Sequence, residues 1–96
     1  MSCYFVARIA IHDRAGYGIY EDGFDDVFAP YHGEVLAVDD APELLEGEWN
    51  ATRMVLIRFP SRQECRRWYD SPEYQKLARH RWNSSHADIL LVHGRD

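Results

Sequence analysis

The chain has 96 residues, of which 46% are hydrophobic, and its formal net charge at pH 7 is −5. This length corresponds to one small domain, which we expect over 1–96, and the acidic balance argues against nucleic acid as a partner. Two cysteines, Cys3 and Cys65, are too few for a disulfide framework, which indicates reduced thiols in a cytoplasmic protein.

Alternating apolar residues predict a first strand over 3–12. Arg8 interrupts this apolar run, and the segment has neither a basic start nor a cleavage site. We therefore expect no signal peptide and no membrane span, so that the chain is mature protein.

The next segment predicts a helix with an aromatic face. Asp13 occupies an N-cap position. Large apolar residues follow at spacings of three and four: Tyr17, Tyr20, Phe24, Val27, Phe28 and Tyr31. Because glycine weakens helices, we expect a break near Gly23, and Pro30 should end the helix at Ala29.

The rest of the chain completes a recognisable order of elements. His32 and Gly33 signal a turn. The elements predicted after it are a strand (34–38), an acidic loop (39–51), a strand (52–59), two abutting helical segments (61–70 and 71–82) and a last strand (87–94). The order β-α-β-β-α-β predicts a ferredoxin-like α+β fold, with helices on one face of a four-stranded antiparallel sheet.

Both late helical segments begin with a clear start signal. Ser61 and Glu64 have the spacing of a capping box, and Ser71 is an N-cap residue followed by Pro72 at the first helical position. The residues on one face of these segments are predicted to be buried: Cys65, Trp68, Tyr69, Tyr74, Leu77, Ala78, Arg81 and Trp82. The aromatic residues here therefore indicate a core rather than an active site.

Both faces of the predicted sheet are apolar. The residue pairs that should point to opposite faces are Leu36 and Val38 against Val35 and Ala37, Val55 and Ile57 against Met54 and Leu56, and Leu90 and Val92 against Ile89 and Leu91. The helices can cover only one face, and large exposed apolar patches are rare in monomers. We therefore predict a homodimer in which two sheets pack face to face.

A set of residues spread over the chain resembles the domain-of-unknown-function 1330 family of small bacterial proteins. The resemblance is carried by LEGEW (45–49), Arg53, FPS (59–61), WYDSPEY (68–74) and Arg81. It implies a dimeric α+β barrel. The wider barrel group includes cofactor-free monooxygenases, lactone isomerases and haem-handling enzymes, so the resemblance implies no single activity.

The chain departs from the family pattern at two places. It has Asp13-Arg14 where the family usually has Asp-Pro, and His32-Gly33 where the family has two glycines. The second departure weakens any turn or backbone-donor role that the resemblance would give to the segment near residue 32.

Arg53 is the main candidate for a functional residue. It precedes the third strand and shares a face with Val55 and Ile57. A charged group on an apolar face needs an ionic partner or an anionic ligand. Arg53 is therefore either part of a structural ion pair, with Glu46 or Glu48, or a fork that holds a substrate carboxylate or enolate.

Other residues are candidates for the walls and the chemistry of such a pocket. Tyr17 and Tyr20 on the first helix and Trp49 in the acidic loop would line it, with core packing as the alternative. His32 is the candidate general base, with simple exposure in a turn as the alternative. No metal-ligand spacing and no phosphate-binding motif is present, so we expect no metal and no cofactor.

Two functions remain open at this point. The first is a dimeric enzyme that isomerises or oxygenates a small anionic or enolisable metabolite without a cofactor. Its pocket would contain Arg53 to bind the anion and His32 as the candidate base. The second is a non-catalytic dimeric module that binds a small molecule or a partner protein, in which Arg53 is structural.

Overall fold

A computed structural model describes residues 1–96 as a four-stranded antiparallel sheet with three helices on one face. In chain order the elements are β1 (Cys3–Ile11), α1 (Arg14–Phe28), β2 (Glu34–Asp39), β3 (Arg53–Phe59), α2 (Arg62–Tyr69), α3 (Pro72–Ser84) and β4 (Ser85–His93). The order of strands across the sheet is β2-β3-β1-β4. This arrangement confirms the predicted ferredoxin-like α+β fold.

The two central strands carry the buried face of the sheet. Cys3 pairs with Phe59 and Ile9 pairs with Arg53 across β1 and β3, and Ile9 also pairs with Ala87 of β4. Since side chains alternate along a strand, all odd-numbered residues of these three strands share the face that the helices cover. The fully buried members of that face are Cys3, Phe5, Ala7, Ile9, Arg53, Ile57, Phe59 and Ser85.

A β-bulge in β2 corrects the predicted faces of that strand. Val35 pairs with Ile57, but the next ladder pair joins Ala37 to Leu56, which leaves Leu36 as an extra residue. Because a bulge shifts the alternation by one residue, Val35 and Val38 lie on the same face, whereas the sequence pattern placed them on opposite faces. The bulge also turns the residue after β2 toward the helices.

Helix α1 is continuous, so the predicted break near Gly23 was wrong. Asp13 caps the helix as expected, because its carboxylate accepts a hydrogen bond from the Gly16 amide. A Cβ added at Gly23 would lie 2.7 Å from Cδ1 of Leu77 in α3. The missing side chain therefore allows two helices to approach closely, and this packing outweighs the weak helix propensity of glycine. The helix ends at Phe28, two residues before Pro30.

The start signals of α2 and α3 are confirmed in part. Ser61 Oγ accepts from the Glu64 amide at 3.1 Å, and Ser71 Oγ accepts from the Tyr74 amide at 3.2 Å. The Glu64 side chain does not complete the capping box. It accepts instead from the backbone amide of His32 at 3.1 Å and forms an ion pair with Arg67, so it ties the turn before β2 to the start of α2.

An aromatic cluster around Trp68 forms the centre of the core. The ring centroids of Tyr74 and Phe5 lie 4.3 and 5.2 Å from that of Trp68, which is fully buried. Cys65 is also buried, and burial raises the pKa of its thiol to about 12. The predicted core role of these residues is confirmed, except that Trp82, expected on the buried stripe, is 47% exposed.

The opposite face of the sheet has no covering element. Leu90 is 64% exposed on this face, and Val92 is 44% exposed. Their half-buried apolar neighbours are Tyr4, Val6, Met54 and Leu56. We call these six residues the outer sheet face.

None of the three helices combines the length and the apolar character needed to span a bilayer.

Candidate functional site

A cavity of about 190 Å³ lies between α1 and the covered face of the sheet. Eleven of its fifteen lining residues are hydrophobic. The lining residues from the helices are Tyr17, Tyr20, Glu21, Phe24, Asp25 and Arg81, and those from the strands are Phe5, Ala7, Ile9, Val35, Val38, Arg53, Val55, Ile57 and Ile89.

The space exists because large and small side chains face each other across it. Tyr17, Tyr20 and Phe24 project from one face of α1 at spacings of three and four residues. The sheet below them offers Ala7 at its centre, which has no side chain long enough to fill the gap. The cavity opens between α1 and the edge strand β2, where Val38 is 53% exposed.

Arg53 lies in this cavity wall and is fully engaged by two carboxylates. Its Nε and Nη2 donate to the two oxygens of Asp40 at 2.6 and 3.1 Å, and its Nη1 donates to Glu21 at 2.7 Å. Its guanidinium also lies 5.3 Å from the centroid of the Tyr17 ring. The predicted ionic partners Glu46 and Glu48 were wrong, because the bulge in β2 presents Asp40 instead.

The electrostatics of this cluster follow from the hydrogen bonds. The guanidinium of Arg53 lowers the pKa of Asp40, and the bonds to Asp40, more than those to Glu21, raise the pKa of Arg53 despite its burial. Both effects stabilise the charged forms. Arg53 therefore joins the start of the β2–β3 loop to helix α1 as an ion pair, and two carboxylates already balance its charge.

Arg81 lies in the same cavity wall and has no such partners. It projects from α3, is only 4% exposed, and neither Nε nor Nη2 has a hydrogen-bond acceptor. No carboxylate forms an ion pair with it: every ion pair of the chain involves Arg8, Arg14, Arg53, Arg66 or Arg67. The guanidinium lies 5.8 Å from the centroid of the Tyr20 ring.

Two tyrosine hydroxyls accompany Arg81. The Tyr20 and Tyr74 hydroxyl oxygens are 2.8 Å apart and hydrogen-bonded. Burial raises the pKa of Tyr20 well above its ordinary value, with a further contribution from Tyr74, and burial also raises the pKa of Tyr74. Both hydroxyls are therefore protonated at neutral pH. One of the two hydroxyls donates its hydrogen to the other. The hydrogen of the second hydroxyl therefore remains available for another acceptor.

The structure brings together three of the five residues that the sequence suggested. Tyr17, Tyr20 and Arg53 line the cavity, but Trp49 and His32 do not. His32 is exposed and lies near the end of β3 opposite Arg53, because Glu34 pairs with Arg58. Six residues of strand separate these ends, roughly 20 Å.

Trp49 lies half-buried in the loop between β2 and β3, and its indole Nε1 is buried without a hydrogen-bond acceptor. No group of three or more His, Cys, Asp or Glu side chains is placed to bind a metal ion. The cavity is therefore described by its aromatic walls and two arginines.

Sequence reasoning missed Arg81 as a site residue. The signal was available, because Arg81 falls on the apolar stripe of α3 with Tyr74 and Ala78, and the argument applied to Arg53 holds for any arginine on a buried face. The sequence could not show which of the two arginines has carboxylate partners.

Comparison with known proteins identifies a family for this chain but no activity. A family model described as "Domain of unknown function (DUF1330)" matches residues 2–95. No protein of curated function matches the sequence significantly.

Several solved structures share the fold at low sequence identity. A protein of unknown function from Rhodopseudomonas palustris has a TM-score of 0.80 at 13% identity, over 99% of this chain and 83% of that one. SnoaB, a cofactor-independent oxygenase from Streptomyces nogalater, has a TM-score of 0.70 at 18% identity, over 99% and 94%. A dimeric protein of unknown function with a ferredoxin-like fold from Bacteroides fragilis has a TM-score of 0.66 at 7% identity, over 97% and 96%.

Proposed function

Since this chain belongs to the DUF1330 family, whose description assigns no activity, we propose a function from its own site. The protein is a homodimer, and each protomer binds a small anionic or enolisable metabolite in the cavity between α1 and the sheet. The observation that carries this proposal is Arg81, a buried arginine at the cavity wall that forms no ion pair with any carboxylate.

The buried Arg81 side chain carries a positive charge that no carboxylate balances. An arginine stays protonated in proteins, so burial cannot be relieved by loss of a proton. A buried charge without a counter-ion costs on the order of several kcal/mol. Only the hydroxyls of tyrosines, Tyr74 above all, raise the pKa of Arg81 against its burial. A carboxylate or enolate oxygen at this position would supply both the charge and the acceptor, and charge-assisted bonds of this kind are the stronger hydrogen bonds of proteins.

The remaining walls suit the rest of a small organic molecule. Tyr17, Tyr20 and Phe24 cover one side, and aliphatic residues of the sheet cover the other. Binding sites for small molecules typically combine such apolar walls with a few polar groups that fix orientation. Arg53 contributes wall area and holds the loop in place in this proposal, rather than binding the anion.

The dimer part of the proposal rests on the outer sheet face. Six apolar residues lie on it without cover, and large patches of this kind usually mark an interface. The similar fold from Bacteroides fragilis is described as dimeric. A second copy of the chain, with its own outer face turned inward, is the partner that we assign.

Conversion of the ligand is the more specific form of the proposal. An enolate forming in the cavity would be stabilised by Arg81 and by the spare hydroxyl proton of the tyrosine pair. Asp25 lines the cavity and forms no ion pair, so its carboxylate is the group able to take a proton from a ligand carbon. The similarity to SnoaB extends to the fold alone.

Binding without conversion is the alternative, and one experiment separates the two. An enolisable ligand incubated with the protein in D₂O would lose its α-proton NMR signal if Asp25 removes that proton. Exchange that is abolished by Asp25→Asn, with binding retained, supports an enzyme. Saturable binding without exchange supports a non-catalytic module.

The binding proposal itself is tested by thermal shift and calorimetry with a panel of small carboxylates and enols. We expect at least one compound to stabilise the native chain, Arg81→Met to abolish this effect, and Arg79→Met to preserve it. Arg79 is the matched control because it is an exposed arginine on the same helix. Replacing a buried charge by an apolar side chain of similar length often leaves stability intact. Equal binding to Arg81→Met, or no response to any anion, would contradict the proposal.

A further inference from the structure

The charges around the cavity limit the ligand to a single negative group. Arg81 has the free guanidinium, whereas all three donor nitrogens of Arg53 are bonded to Asp40 and Glu21. Besides Glu21, a second carboxylate of α1, that of Asp25, belongs to a residue that lines the cavity. A second anionic group on the ligand would therefore meet carboxylates and no available cation, which like-charge repulsion disfavours.

The volume of the cavity limits the uncharged part of the ligand. Its size of about 190 Å³ exceeds the engineered apolar cavity of about 150 Å³ that accepts benzene. It is smaller than the roughly 300–1,000 Å³ of sites for drug-sized molecules. The volume of one six-membered ring with a short acidic arm lies between these bounds.

The walls favour an aromatic ring over an aliphatic chain. The α1 side presents the ring faces and edges of Tyr17, Tyr20 and Phe24, whose neighbouring centroids lie 5.4 and 5.9 Å apart. The sheet side presents branched aliphatic groups, among them Val55 and Ile57. A flat ring between these layers gains edge-to-face contacts of about 0.5–1.5 kcal/mol per aromatic pair beyond its buried area.

The polar end of the ligand has two donors to satisfy its oxygens. One oxygen would accept from the Arg81 guanidinium, which lies in the cavity wall. The other would accept from the Tyr20 hydroxyl, since Tyr20 lines the cavity and Tyr74 can donate to Tyr20 from behind. A carboxylate has two oxygens, so each of these two donors has one oxygen to bind.

We infer that the ligand is a monoanion with one aromatic ring, an aryl monocarboxylate or its enolisable α-keto relative, with its acidic group on Arg81 and Tyr20. This inference rests on the proposed function, because it names the class of the anion that the cavity binds. It adds that the anion carries one charge and one ring.

The test measures dissociation constants by calorimetry for four probes of different class. Phenylacetate has the ring and one charge, hexanoate has the charge without a ring, phthalate has a ring with two charges, and benzyl alcohol has a ring without charge. We expect phenylacetate to bind roughly tenfold more tightly than each of the others, a difference of about 1.4 kcal/mol. This ranking is measured on the unchanged chain, so it decides the matter even if a variant fails to fold.

Variants then locate the acidic group. Arg81→Met should weaken phenylacetate binding by at least roughly tenfold and leave benzyl alcohol unaffected. Tyr20→Phe should weaken phenylacetate by a smaller factor, and Arg79→Met should change nothing.

Two results would overturn the inference, and they differ in what they leave standing. If hexanoate or phthalate binds as tightly as phenylacetate and depends on Arg81, the ring or the single charge is wrong while the anion cavity stands. If no acid binds, or binding is indifferent to Arg81, the proposed function fails with it.

Discussion

Arg53 and Arg81 show how two residues of one type acquire different roles in one cavity. Arg53 is held by two carboxylates whose side chains are 59% and 37% exposed, so its ion pairs are partly hydrated. Arg81 is more deeply buried and forms no ion pair with a carboxylate. The first arrangement supports the fold, and the second leaves binding capacity unused.

The contrast predicts opposite effects of two substitutions. Arg53→Met should lower the free energy of unfolding by about 1 kcal/mol, because partly exposed ion pairs contribute modestly. It should leave the affinity for a carboxylate ligand within a factor of about two. Urea denaturation and calorimetry measure the two quantities. A folded Arg53→Met variant that no longer binds the ligand would move the anion site from Arg81 to Arg53.

Gly33 is a residue whose small size the core requires. A Cβ at this position would lie 2.7 Å from Cε1 of Phe59 and still nearer to the Phe28 ring. Gly33→Ala should therefore destabilise the protein by about 1–3 kcal/mol, the range for overpacking. Gly18→Ala is the control, since nothing lies within 4 Å of its added Cβ and alanine favours a helix interior. A Gly33→Ala variant as stable as Gly18→Ala would show that these rings move aside easily.

Buried tyrosines and Cys65 predict a loss of stability at alkaline pH. Burial raises the pKa of Tyr17, Tyr20 and Tyr74 above 10.0, and that of Cys65 from 9.0 to about 12. As pH rises, the unfolded chain loses these protons before the folded chain does. The stability that these groups contribute is therefore complete below about pH 9 and is lost progressively above it. Urea denaturation across this range measures the decline. Tyr74→Phe should make it shallower, and an unchanged slope would contradict the assignment.

At the scale of elements, one serine connects two helices. Ser71 Oγ accepts from the Tyr74 amide of α3 and donates at 2.8 Å to the Trp68 carbonyl of α2. It is buried, whereas Ser61 at the start of α2 is partly exposed and only accepts. The abutting of α2 and α3 thus depends on one hydroxyl that satisfies backbone groups of both helices.

This double role predicts unequal effects of removing the two hydroxyls. Ser71→Ala should cost about 2 kcal/mol, because it leaves a buried amide and a carbonyl unpaired, and Ser61→Ala should cost about 1 kcal/mol. Chemical denaturation of both variants measures the difference. Equal losses would show that only the cap of α3, and not the bond to α2, stabilises the fold.

The elements also show how far sequence patterns reach. Caps at Asp13, Ser61 and Ser71 were predictable because they depend on neighbours three residues away. The close approach at Gly23 involves Leu77, which is 54 positions later in the chain. The bulge at Leu36 depends on pairing with β3, and it decides that Asp40 is the residue that reaches Arg53.

The candidate site was predictable to a similar extent. Aromatic residues at helical spacing located Tyr17 and Tyr20, and an arginine on an apolar strand face located Arg53. The absence of His32 and Trp49 from the cavity, and the presence of Arg81 in its wall, follow from how loops and α3 pack in three dimensions. No local pattern reports which charges find partners.

At the scale of the whole molecule, the chain is a slab of 32 × 30 × 16 Å with one uncovered apolar face. We predict that Leu90→Glu converts a dimer into a monomer, because it places a charge within an apolar interface. Sedimentation equilibrium gives the mass directly. Ile19→Glu is the control, since Ile19 is an exposed apolar residue of α1 on the opposite side. If the wild-type protein sediments with the mass of one chain, 11.3 kDa, the proposed dimer is wrong.

Because side chains alternate along β1 and β3, the residues that line the cavity and those of the outer sheet face can be varied separately in the same strands. Odd-numbered positions such as Val55 contact the cavity, and even-numbered neighbours such as Leu56 belong to the outer sheet face. A library that varies only odd positions would therefore alter ligand preference while keeping the assembly constant, and one that varies even positions would do the reverse. In β2 the bulge at Leu36 reverses this rule. The cavity side has odd-numbered Val35 before the bulge and even-numbered Val38 after it.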